Sequence, residues 1–335
     1  MVERCAGIDI GKDEVVACVR TPAASGRSRQ KQTRTFASFT GSLEAMADWL
    51  AAEGVTEIAM EATGSYWKPV WYVLEERAFA LKLGQCPSRE DPARAQERPG
   101  RGVAGLAELL EHGLLRGSFV PPPAIRQLRD LTRYRKRLIQ AHTSECQRIQ
   151  KTLEDGGIKL DSVASDVLGV SGRAMLGALV AGERDPQVLA ELAKGRLRRK
   201  IPALRQALRG RFGDHHALLI GLCLEHTAHL EAAISRLDQR IETLIATHTG
   251  ETGLPFARAR DRLDTITGVG KRAAETIIAE IGVDMTRFPT AAHLATLVIC
   301  WHLLTNDCDY DNRQRDRLIQ QLAGLGYYVT LDKIA

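Results

Sequence analysis

Two carboxylates stand where a protein rarely leaves an acid without a reason. Asp9 lies between isoleucines in Ala6-Gly-Ile-Asp-Ile-Gly-Lys-Asp13, and Glu61 closes the apolar run Ile58-Ala59-Met60, just before Ala62-Thr63-Gly64-Ser65. A charged acid in apolar surroundings is costly unless something binds it. Acids at the ends of neighbouring strands can converge on one point, and hard divalent cations take such oxygen ligands. Two ions roughly 4 Å apart clamp the attacking and leaving oxygens of a phosphodiester. Spacing alone leaves a second reading open, in which both are strand-end carboxylates facing solvent.

A second chemical set is basic. Arg126, Arg129, Arg133, Lys136 and Arg137 recur at helical spacing with Arg135 beside them, and Lys194–Arg211 holds eight basic residues and no acid. Such stripes neutralise phosphates and bind nucleic acid without regard to sequence, although a run of charge is often only a solvated helix face. Gly268-Val269-Gly270-Lys271, ahead of a helix over 273–281, fits a helix-hairpin-helix whose turn N–H groups face a phosphate. Glycine turns between packed helices are also common. The seven cysteines have no Cys-x-x-Cys spacing, which argues against zinc and for reduced thiols. His215, His216, His226 and His229 have no carboxylate or cysteine partner at metal spacing, and read as surface or core residues.

These residues need elements to position them. Residues 5–20 form two β-branched runs broken by Gly11-Lys12-Asp13, a hairpin signal. A third strand over 32–39, a helix over 42–52, a strand over 55–60 ending at Glu61, a helix over 67–77 and a strand over 80–83 follow. Strand–strand–strand–helix–strand–helix–strand is the order of an RNase H-like α/β domain. Residues 86–103 carry three prolines and no apolar periodicity, and helical order resumes from Leu106. A long helix is expected over 124–155, with Ile125, Leu128, Leu131, Leu138, Ile149 and Leu153 inward. Leu230, Ile234, Leu237, Ile241 and Leu244 then make a coiled-coil seam over 227–248, an expected site of self-association into a homo-oligomer. The expected division is 1–115, 116–255 (helical and coiled-coil) and 256–335 (small, all-α). Hydrophobic residues at 44% and charged ones at 26% exclude a disordered chain. The longest apolar runs, such as Ala217–Leu224, fall short of the roughly twenty residues of a membrane span. No membrane and a cytoplasmic location are therefore expected.

Several blocks together resemble the IS-one-ten family of insertion-sequence transposases. They are Ala6–Asp13, Met60-Glu-Ala-Thr-Gly-Ser-Tyr-Trp67, Glu111-His-Gly-Leu-Leu-Arg-Gly-Ser-Phe-Val-Pro-Pro122, Arg126-Gln-Leu-Arg-Asp-Leu-Thr-Arg-Tyr-Arg-Lys136 and Ile266-Thr-Gly-Val-Gly270. The resemblance implies a RuvC-like domain with a D-E-D-D metal set holding Mg²⁺, a coiled-coil linker, and a carboxy-terminal domain with a nucleophilic serine. It also implies DNA as substrate and a structured guide RNA that chooses sites by base pairing.

The sequence departs from that pattern twice. The first two acids carry over to Asp9 and Glu61. The other two normally sit in a Lys-Thr/Ser-Asp-x-x-Asp-Ala block ahead of the helix leading into His112-Gly113-Leu114, and those positions hold Pro99 and Gly102. One legal choice of codons for Cys86–Pro99, read one base later, spells Ala-Arg-His-Val-Lys-Thr-Leu-Pro-Gly-Arg-Lys-Ser-Asp, which resembles the family's own text. The hypothesis is that about 86–103 is translated out of frame; a nucleotide sequence in which no one-base offset restores that peptide defeats it. Near the end, Thr290-Ala-Ala-His-Leu-Ala295 runs directly into Thr296-Leu-Val-Ile-Cys-Trp-His-Leu-Leu304. An internal deletion near 296 is expected to have removed the serine segment, and no serine follows Ser235. Thr296 and Thr305 are poor substitutes, because an activated hydroxyl needs a base. The expectation is a transposase chain that binds nucleic acid with impaired catalysis. A non-catalytic nucleic-acid-binding remnant or regulator is the alternative, and a Holliday-junction-type nuclease completing its site with Asp91 or Glu108 is a third.

Overall fold

Alternation in the first strand determines what lies on each side of a mixed sheet. The computed structural model describes residues 2–23, 29–61, 64–84, 102–115 and 117–288. Strand β1 (Cys5–Ile10) sends Ala6, Ile8 and Ile10 to one face and Cys5, Gly7 and Asp9 to the other. The first set is buried with Val15, Ala17 and Val19 of β2 (Glu14–Pro22) against α1 (Thr40–Ala52) and α2 (Trp67–Glu75). β3 (Arg29–Ala37), β4 (Glu57–Glu61), β5 (Ala80–Gly84) and the short β6 (Gly117–Ser118) complete the order β3-β2-β1-β4-β5-β6. β1 to β3 are antiparallel, β1, β4 and β5 parallel, and β6 antiparallel to β5. The edge strand β3 is polar and mostly exposed, which discourages pairing with another chain. The mixed sheet is compatible with an RNase H-like domain. β6, two residues long, has no sequence periodicity to announce it.

On the second face one helix, α3 (Val103–Glu111), lies directly on β1. Gly7 allows this, since a Cβ there would sit 2.4 Å from the Val103 carbonyl oxygen and 2.6 Å from the Ala107 nitrogen. The Val2 N–H donates to the Glu111 carbonyl (2.9 Å), and Cys5 Sγ lies 3.4 Å from the Ala107 carbonyl. Val2 therefore meets the end of α3 and Gly7 its beginning, so the helix runs antiparallel to β1 with its amino terminus toward Asp9. At the far end buried Glu111 takes Arg20 (2.6 Å) and Arg29 (2.7 Å) from β2 and β3. The chain divides into two compact units, and these elements belong to the first, Met1–Val120.

The second unit, from Pro121, is built on two long helices. α4 (Pro123–Asp155) starts with proline at its first position, where the missing N–H costs nothing, and its 33 residues span about 50 Å at 1.5 Å per residue. Residues 156–213 fold as short helices, among them α5 (Val170–Val180), α6 (Pro186–Glu191) and α7 (Ile201–Ala207). The second long helix is α8 (Asp214–Thr247). Polar pairs from Arg135–Asp238 (2.8 Å) through His142–Glu231 (3.0 Å) and Glu145–His226 (3.1 Å) to Asp155–His216 (3.0 Å) set α4 and α8 antiparallel. Within the expected seam, Leu230, Ile241 and Leu244 are buried and Ile234 and Leu237 half-buried. Along this stretch α8 runs beside α4 of the same chain. By length and composition α8 would suffice to cross a membrane, yet it carries this series of polar pairs to α4.

α9 (Phe256–Asp264) and α10 (Lys271–Ile281) close the described chain. Phe256, Leu263, Ala274 and Ile278 share one core with Ile125, Leu128, Ile241 and Ile245. Residues 256–285 are thus packed onto the ends of the two long helices.

Candidate metal centre and nucleic-acid interface

β1 and β4 pair in parallel register through Ile8 and Met60. One step further places Asp9 beside Glu61 at the carboxyl ends of adjacent strands, which lie roughly 4.8 Å apart. Cys5 and Ala59 are buried together with Leu110 of α3 on this face, and residue parity puts Asp9 and Glu61 on it too. Asp9 is exposed and Glu61 half-buried. The amino terminus of α3 adds a favourable field for negative charge. Its N-cap is Gly102, with φ −49°, and among the described residues nothing lies within 4 Å of where a Cβ would stand. The helix thus delivers position 102 toward the end of the sheet that holds both acids, without a side chain. Pro99 and Asp91 lie outside the described residues. Glu108 is exposed and follows Ala107, whose backbone packs on Gly7 of β1.

The basic residues of α4 divide into two groups. Arg126 donates to the Pro121 carbonyl (3.0 Å). Arg129 donates to the Ala279 and Glu280 carbonyls (2.9 and 2.8 Å), satisfying the last turn of α10, and burial pushes its pKa down from the ordinary arginine value. Arg133 grips Glu280 with two bonds of 2.8 Å, which holds that carboxyl below its usual range. Arg135 is buried between Asp238 (2.8 Å) and Glu275 (2.7 Å). Helical spacing brings these arginines to one side, where each is engaged by a carbonyl or carboxylate of the protein, with Arg133 still exposed. Lys136 and Arg137 are exposed and make no ion pair among the described residues.

The turn between α9 and α10 places Gly268 at φ +89° and makes Gly270 the N-cap of α10. Gly268 thus holds the left-handed conformation that a side chain disfavours. Lys271 reaches Glu242 of α8 (2.6 Å), which also takes two bonds from Arg260 (3.0 and 2.9 Å). The turn's neighbouring cation is already engaged.

A family model described as a transposase, of the IS110 DEDD type, matches residues 6–84. A second, described as the transposase IS116/IS110/IS902 family, matches residues 260–298. Two separate segments of the chain are thus similar to IS110-family transposases. No curated protein matches it closely enough to count as a relative. The first match spans β1 to β5 with both acids; the second takes in most of α9, its turn and α10.

For a DEDD-type transposase domain, which residues 6–84 match, the implied group is a divalent metal. Mg²⁺ is commonly held by one or two carboxylates and keeps several waters, so Asp9 and Glu61 fit a single ion. They do not by themselves supply the ligands of a two-ion centre, and Gly102 contributes none.

One group escaped the sequence. His215 and His216 have no carboxylate partner at metal spacing in the sequence, but the fold brings the distant Asp155 to them, with one ligand atom of each within 4.8 Å of the others. His216 Nδ1 accepts from the Gly213 N–H (3.0 Å), which leaves Nε2 to donate to Asp155 (3.0 Å). Both ring nitrogens are thereby used, and His216 acts as a cap for α8 joined to the end of α4. The four described cysteines are free thiols, and burial pushes Cys5 up to about 11, away from reactivity.

Proposed function

We propose that this transposase chain binds DNA, together with a structured guide RNA, and is impaired in strand cleavage. The observation that carries the reading is Gly102. It caps the helix whose amino terminus faces Asp9 and Glu61, where the family pattern expects an aspartate, and it has room for one. A pair of carboxylates without the rest of the set holds one hydrated Mg²⁺ but lacks the clamp on both reacting oxygens. The absence of any serine beyond Ser235 removes the other expected nucleophile. A regulator or remnant that binds without cutting is the same reading at its limit. The junction-nuclease reading gains little from Glu108, which is exposed on a helix whose buried residues Ala107 and Leu110 pack against the sheet.

The test is purified full-length protein with duplex and branched DNA, Mg²⁺, and RNA transcribed from the element's flanking sequence. Binding without cleavage, equal in Asp9→Ala, is the expected result. Metal-dependent cleavage that disappears in Asp9→Ala would overturn the impairment.

A further inference from the structure

The arginines of α4 are largely committed to the protein's own carboxylates; those of the short-helix region are not. Between Lys194 and Arg211 all eight basic residues are exposed. Leu197, Ile201, Leu204 and Leu208 recur at steps of four, three and four, and pack into the core with Ile149, Leu176 and Ile220. That apolar stripe turns the charged positions outward.

Ion pairing separates the eight. Arg198 and Arg205 share Glu191 (3.4 and 3.2 Å), and Lys200 donates to the Val163 carbonyl (2.9 Å). Lys194, Arg196, Arg199, Arg209 and Arg211 make no ion pair among the described residues, and four of these five are arginines. Their backbones are nevertheless fixed. Arg196 and Arg199 lie three apart in a 3₁₀ helix (Gly195–Lys200), where such side chains eclipse one another about 6 Å apart along the axis. Arg209 and Arg211 flank Gly210, whose Cβ would stand 2.4 Å from the Gly156 carbonyl, and the Arg211 N–H donates to that same carbonyl at 2.7 Å. The two arginines are thus anchored against the end of α4.

Resting on the reading of this chain as a nucleic-acid binder, we infer that Arg196, Arg199, Arg209 and Arg211 form a binding site for the phosphate backbone of a nucleic-acid duplex. Guanidinium forks match phosphate oxygens bidentately, and a pre-set backbone lowers the ordering cost of binding. A duplex is favoured over a single strand because residues 194–211 contain no aromatic side chain on which bases could stack, and Phe212 beside them is buried. Duplex DNA and folded RNA present the same phosphate chemistry, so both are tested.

The experiment measures binding of full-length protein to a random-sequence DNA duplex and to a base-paired RNA hairpin by fluorescence anisotropy between 50 and 200 mM salt. Wild type is compared with the fourfold variant Arg196→Ala, Arg199→Ala, Arg209→Ala, Arg211→Ala. If each arginine neutralises one phosphate, the log–log salt slope on DNA becomes shallower by about 3.6 in the variant, whose affinity then falls about 10²-fold less than wild type's over that range. The melting midpoint should stay in place, because none of the four side chains is buried or paired. The probe showing the larger change identifies the source of the duplex. A variant that binds both probes with the wild-type affinity and slope overturns the site and leaves the proposed function standing. A variant whose weaker binding accompanies a lowered melting midpoint also overturns it, by showing that the arginines support the fold. Wild type that binds neither probe defeats the nucleic-acid reading itself.

Discussion

Arg135 Nη1 lies 2.7 Å from Glu275 Oε2, and the two side chains are 4% and 3% exposed. A cation read from the sequence as part of a phosphate-binding stripe is therefore a buried strut between α4 and α10, with Asp238 of α8 as its third member. Removing one partner of a buried pair leaves an unpaired charge, at a cost of about 3–5 kcal/mol. Arg135→Ala should lower the stability of the second unit by that amount in urea denaturation, whereas Arg137→Ala should stay within about 0.5 kcal/mol. Equal stability of the two variants would show that Arg135 does not bear on the fold.

What the sequence disclosed and what it withheld follow from the range of each signal. The β1–β2 hairpin, the strand ending at Glu61 and the long helix from 123 were legible because alternation and heptad spacing are local. α8 begins 13 residues before the seam that announced it, since Ala217–Leu224 is apolar all round and carries no period. The contrast between Arg135 and Arg137 could not be read at all. Both are arginines two residues apart on one helix, and only the arrival of Glu275 and Asp238 from distant segments distinguishes them. The same holds for Asp155 and His216.

Gly7 is a packing residue with a sharp steric requirement. The 2.4 Å approach to the Val103 carbonyl involves backbone, which cannot rotate away as a side-chain tip can. Gly7→Ala should destabilise the first unit by about 1–3 kcal/mol, as overpacked sites do. Gly41, in α1, has nothing within 4 Å of its Cβ position, and Gly41→Ala should be neutral or stabilising by up to about 1 kcal/mol. Paired thermal melts of the two variants check this; a neutral Gly7→Ala would mean that α3 does not lie on β1.

Acid should loosen the second unit. Hydrogen bonding from Arg133 holds Glu280 below its ordinary 4.5, and Lys271 with Arg260 does the same for Glu242. At Asp238 burial opposes ionisation, but bonds from Arg135 and Arg272 outweigh it and hold the group below 3.8. Carboxyls lowered on folding bind more protons when unfolded, so their stabilisation is complete above the ordinary values and is lost as pH falls through the folded ones. The melting midpoint should be flat from pH 7 to about 5 and drop below about pH 4.5. A midpoint that holds to pH 3, or that falls between 7 and 5, contradicts the role given to these pairs.

Gly102 offers the most direct test of the proposed impairment. Its φ of −49° is not in the left-handed region, and among the described residues nothing lies within 4 Å of its Cβ position. An aspartate there serves two ends: it supplies a third carboxylate toward the end of the sheet holding Asp9 and Glu61, and it is a favoured N-cap for α3, worth about 1 kcal/mol over poor caps but only a few tenths over glycine. Gly102→Asp should therefore change stability little while tightening Mn²⁺ binding, read by titration calorimetry, by at least about tenfold, or 1.4 kcal/mol. Adding Asp9→Asn should abolish the gain, because the new ligand works only beside the old ones. Gly102→Asn separates capping from ligation, since it caps equally well and carries no charge. If Gly102→Asp binds Mn²⁺ no better than the unmodified chain, position 102 does not face the two acids, and the proposed impairment loses the observation that carries it.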